Sequence, residues 1–115
     1  MRAVCVQFQP HRAKALSVRT VTQLMVRIAE AMTDIRQFSF DRGSVRGPYI
    51  NYCFKSRSPA RVWKALNTRA FSNGRVGVLV RRSSIVTCQG SRGWDNYLLL
   101  HHYDGKVALD RLRGV

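Results

Sequence analysis

The stretch VTQLMVRIAEAMTDI at residues 21–35, with QFSF following at residues 37–40, decides the fold class. Val21, Leu24, Met25, Ile28, Met32 and Ile35 recur at spacings of three and four, which lines them along one face of a helix. Within two residues the period changes. Phe38 and Phe40 alternate with Gln37, Ser39 and Asp41, so their side chains leave the backbone on one side of a strand. A helix followed by a strand of different periodicity predicts an α+β chain with one layer of each kind.

Working outward, Val4, Val6 and Phe8 alternate with Cys5 and Gln7, which predicts a short strand from Ala3 to Phe8, ended by Pro10. Residues 10–17 read as a loose basic connector carrying His11, Arg12 and Lys14. Ser17 or Thr20 can cap the following helix, and Thr20 with Gln23 has the spacing of a capping box. Beyond Phe40, the run Asp41-Arg42-Gly43-Ser44-Val45-Arg46-Gly47-Pro48 is rich in turn formers. Ile50, Tyr52 and Phe54 then alternate again, giving an antiparallel partner strand.

Ser58-Pro59 predicts a second helix, with Ser at the cap and Pro in the first turn, where no amide is missed. Val62, Trp63, Leu66 and Ala70 line one face, and Asn73-Gly74 stops it. Strands are expected at Val76–Val80, Ser84–Cys88 and Trp94–His102, with a short basic tail at 104–115 forming a helical turn around Val107 to Leu112. The order of elements predicts a ferredoxin-like β-α-β-β-α-β antiparallel sheet. Two helices cover one face of it, and a C-terminal hairpin extends it. At 115 residues this is one domain, 1–115.

Twenty Lys and Arg face six Asp and Glu, a formal net charge of +14, and sixteen of the twenty are Arg. Division after Arg57 leaves ten basic and three acidic residues on each side, so the charge belongs to the whole chain rather than to a tail. Such a field attracts polyanions, and arginine's planar fork suits phosphate. The leading expectation is a small binding module for nucleic acid or another polyanion. Lys55, Ser56, Arg57, Ser58 and Arg61 surround the start of the second helix as a candidate anion cradle. Arg42 and Arg46, Arg81 and Arg82, and Arg92 supply further cations from three loops. The alternative is a protein-interaction partner, such as an inhibitor, immunity or assembly subunit, meeting an acidic surface. Tyr49 could stack bases in the first reading, and an exposed apolar patch around Trp94 is the sign of the second, to which self-association through an unpaired sheet edge also belongs.

Catalytic machinery is not expected. No P-loop, dinucleotide fingerprint or nucleophile elbow is present, so no cofactor is implied. His101 and His102 are adjacent on a strand and point to opposite faces, which disfavours one shared metal. The glycine and aromatic signature of the RNA-recognition sheet is not met around Tyr49, Tyr52 and Phe54. Cys5, Cys53 and Cys88 are odd in number and far apart, which predicts free, buried thiols in a reducing compartment rather than a disulfide. No apolar run approaches the ~20 residues of a membrane span, and residues 3–8 alternate like a strand rather than a leader. The expected location is cytoplasmic.

Overall fold

The computed structural model describes residues 1–113. Strand β1 (Arg2–Phe8) buries Val4, Val6 and Phe8 completely. A short 3₁₀ turn at Pro10–Arg12 leads to α1 (Val18–Ala31). The expected loose connector is tied down instead, because Ala13 and Leu16 are buried in the core. Ser17 caps α1, its Oγ accepting the Thr20 N–H at 3.1 Å, so the first of the two cap candidates is the one used. Val21, Met25 and Ile28 form the buried stripe of the helix, and Val18, Leu24 and Met32 pack at its margin.

Strands β2 (Ile35–Ser44) and β3 (Pro48–Ser56) form a hairpin in which Phe38 sits opposite Phe54 and Phe40 opposite Tyr52. The ring centroids of these pairs are 4.9 and 5.9 Å apart, within the range where aromatic neighbours attract. Tyr52 is fully buried and its hydroxyl shares a 2.7 Å hydrogen bond with Thr22 Oγ1. Helix α1 is thereby keyed to the sheet through a polar contact as well as an apolar one.

Helix α2 (Pro59–Ala65) passes directly into a π-helical segment, Leu66–Phe71. The wider turn is closed by the Ser72 N–H, which donates to Asn67 O five residues back, and Ser72 Oγ donates to the same carbonyl. The chain breaks at Asn73-Gly74, where Gly74 takes a φ of +52°. It then enters a third helix, α3 (Gly74–Ser83), in place of the strand expected at Val76–Val80.

The reason for that difference is packing. Val76, Val78 and Val80 alternate, but Gly77, Val80 and Ser83 are the buried positions, a helical spacing of three. Gly77 is what allows it: a Cβ there would overlap the carbonyl of Phe71, so only glycine lets α3 cross the end of the π segment. Ser83 Oγ donates to Leu79 O and Ser84 Oγ to Val80 O, both at 2.7 Å, which closes the helix before the chain turns into the sheet.

Strands β4 (Ser84–Gly90) and β5 (Gly93–His101) complete the sheet. Every neighbouring pair is antiparallel, and the order is β2-β3-β1-β4-β5. The helices lie on the face carrying Val4, Val6, Phe8, Ile50, Tyr52, Phe54 and Val86, where the buried residues form one cluster. After β5 the chain does not make the expected helical turn. It runs back beside the sheet, with the Asp110 N–H donating to Leu99 O and Leu112 buried. The architecture is therefore α+β, with a five-stranded antiparallel sheet and three helices. No helix among the described residues is long and apolar enough to cross a membrane.

Cys5 and Cys53 stand directly opposite each other in the β1–β3 ladder, with Cα atoms 4.2 Å apart, and are joined as a disulfide. This overturns the expectation of three free thiols. Sequence separation hides cross-strand neighbours, and 48 residues here collapse onto one register position. Cys88 alone is free and buried.

Candidate polyanion interface

The register of the sheet sorts the candidate arginines into two groups. Arg42 pairs with Ile50, Ile50 with Phe8, and Phe8 with Ser84, so these four residues form one row across four strands. Arg81 and Arg82 close α3 just before Ser84, and Arg46 lies at the hairpin tip just beyond Arg42. Arg42, Arg46, Arg81 and Arg82 thus share one end of the sheet, all exposed. Arg42 belongs to strand β2 and not to the loop in which the sequence reading placed it.

Two cations from the connector join them. The Arg12 guanidinium lies 3.7 Å from the centroid of the Tyr103 ring, a cation–π contact that fixes it beside the β5 terminus. The His11 ring packs against Gly47 at the hairpin tip, bringing the 3₁₀ turn up to that loop. Lys14 follows, exposed. Sequence reasoning marked His11, Arg12 and Lys14 as a basic connector but gave no sign that the connector returns to the sheet end. That position follows from Ala13 and Leu16 being anchored in the core.

Beside this end, His101 Nε2 lies 2.8 Å from Arg81 O, and its ring packs on Phe71 at 5.0 Å between centroids. Burial lowers the His101 pKa from 6.5, and the nearby charges of Arg81 and His102 act in the same direction against the hydrogen bond. His101 is accordingly a neutral ring holding the end of α3 to β5. Arg81, Arg82, His101, His102 and Tyr103 line a shallow cavity of about 310 Å³.

The second group lies at the opposite end. Lys55 and Ser56 are the last residues of β3, where Ser56 pairs with Arg2; Arg57, Ser58 and Arg61 follow, and Arg92 occupies the β4–β5 turn. The cradle imagined from sequence is differently built. Ser56 is fully buried, and its Oγ accepts the Ser58 N–H at 2.9 Å. Ser58 makes no side-chain cap; its carbonyl instead accepts from Arg61 and Val62. Arg61 leans toward Asp34, 3.8 Å away. Arg57 and Lys55 remain exposed. Among the described residues, the Arg61–Asp34 contact is the only ion pair.

Of the two aromatics, the Tyr49 ring covers Gly43 across the hairpin, so its face is occupied by backbone. Trp94 is 46% exposed at the start of β5. With Ile85, Tyr97, Leu99 and Val107 it lines a hollow of about 510 Å³ on the sheet face away from the helices. Among the described residues no three His, Cys, Asp or Glu side chains gather as a metal site. No family model, curated protein or solved structure matches the chain.

Proposed function

We propose that the protein is a polyanion-binding module, with nucleic acid as the principal ligand class. Its interface is the sheet end that carries Arg12, Lys14, Arg42, Arg46, Arg81 and Arg82. The observation that carries the reading is uncompensated charge: a net +14 with a single ion pair among the described residues. Cations that serve only stability are usually interspersed with acids, and here six cations stand against Asp41, next to Arg42, and Asp104, next to Tyr103. Six phosphate contacts from six cations would position a backbone without reading its sequence. We also propose that β1 to β4 with their helices form a ferredoxin-like unit extended by β5. Support comes from the position of β1 between β3 and β4.

A second reading has its own observation. The hollow beside the half-exposed Trp94 and the exposed Tyr97 is mostly apolar, with Thr87 and His102 its polar members, which suits a protein partner better than a phosphate backbone. The two readings separate by mutation. Replacing Arg81 and Arg82 together by Ala should weaken nucleic-acid binding roughly 10-fold or more, and Trp94→Ala should leave it within about twofold. Nucleic-acid binding that neither variant weakens specifically would favour the protein-partner reading.

A further inference from the structure

The two ends of the described chain meet at the sheet end opposite the interface. The tail is strapped to β5 by Asp110, whose N–H donates to Leu99 O and whose carboxylate accepts the Leu99 N–H, both at 2.8 Å. Two residues on, Leu112 inserts into the core at 8% exposure. With Leu112 buried between them, Arg111 and Arg113 line a cavity. The third arginine comes from the start of β1. Arg2 donates from Nε to Gln89 O at 2.8 Å, which orients its guanidinium while its terminal nitrogens lie outside that bond.

These three arginines line a cavity of about 420 Å³ together with Ser91 and Asn96, and no carboxylate of a described residue lines it. Three like charges around one hollow repel one another, and an anion placed between them converts that repulsion to attraction. Guanidinium forks match the oxygens of phosphate, and the Ser91 hydroxyl and Asn96 amide add neutral donors. The volume lies within the range of small-molecule sites and exceeds what a bare phosphate fills. Leu98 and Leu112 supply an apolar wall for the remainder.

We propose that this cavity binds the phosphate monoester of a small organic molecule. Arg2, Arg111 and Arg113 hold the phosphate, and the organic body rests on the leucines. The site is separate from the polyanion interface and does not depend on it. Isothermal titration calorimetry of the full chain with ribose 5-phosphate, adenosine 5′-monophosphate, inorganic phosphate and adenosine tests it. One-to-one saturable binding of the two esters is expected, tighter than inorganic phosphate, with none for adenosine. Arg111→Ala and Arg113→Ala should each weaken the esters by about 10-fold. Both side chains are exposed, so these variants keep the wild-type melting temperature and the test does not hang on folding. The Arg81→Ala, Arg82→Ala variant should bind the esters as wild type does, which separates this site from the interface. Absence of saturable binding, adenosine binding as well as its monophosphate, or tail variants that bind like wild type would each overturn the proposal.

Discussion

At the scale of single residues, two side-chain positions carry more than their size suggests. Gly77 lies where a Cβ would meet the Phe71 carbonyl, so Gly77→Ala sets a gain in helix propensity against a backbone overlap. Overlap with backbone cannot be relieved by a rotamer change, and it should win. The expected loss is about 2 kcal/mol, seen as a melting temperature lowered by roughly 8–15 °C. His101 makes a pH prediction. Its folded pKa lies below 6.5, so the unfolded chain binds the proton more readily. Its contribution is intact at neutral pH and above, and is lost as pH falls through 6.5 toward the lower folded value. Thermal melts between pH 8 and 5 should therefore show wild type losing stability on acidification more steeply than His101→Gln. Parallel curves would contradict the assignment.

At the scale of elements, what was legible in the sequence followed from how long each period persists. Six apolar positions over residues 21–35 identify α1, and alternation over 4–8, 38–40 and 50–54 identifies β1, β2 and β3. Val76–Val80 misled because five residues satisfy a strand and one face of a helix equally, and the deciding contact, Gly77 on Phe71, is tertiary. The tail misled for a similar reason: its Leu112 anchor and its bonds to Leu99 belong to another element. Of the candidate site, the residue types were readable and their grouping was not. Arg42 and Arg81 reach the same end of the sheet only through a register that runs from Arg42 across Ile50 and Phe8 to Ser84, just past the close of α3. The Cys5–Cys53 link is the same lesson, and it yields a prediction. Cross-linking residues 48 apart removes loop entropy from the unfolded chain, worth up to about 4 kcal/mol. Reduction, or Cys5→Ala with Cys53→Ala, should lower the denaturation midpoint accordingly without changing the far-ultraviolet circular dichroism.

At the scale of the whole molecule, charge dominates. A chain of 115 residues bearing +14 repels itself, and that repulsion is relieved by whatever anion it binds. Polyanions should therefore raise the melting temperature, more so at low salt, because ligand that binds only the folded state stabilises it by mass action. Generic attraction and a defined interface differ in how they respond to salt and to particular arginines. A defined site keeps its ligand through the loss of long-range attraction, while a diffuse cloud does not.

The most direct measurement is fluorescence anisotropy with labelled single-stranded RNA, duplex DNA and heparin from about 50 to 300 mM salt. The account predicts RNA or DNA bound more tightly than heparin, still bound at ~150 mM, with a log–log slope near −5 on duplex DNA for about six phosphate contacts. Equal, weak binding to all three that disappears by ~150 mM would contradict it, leaving the charge generic and the Trp94 hollow the better guide to a partner.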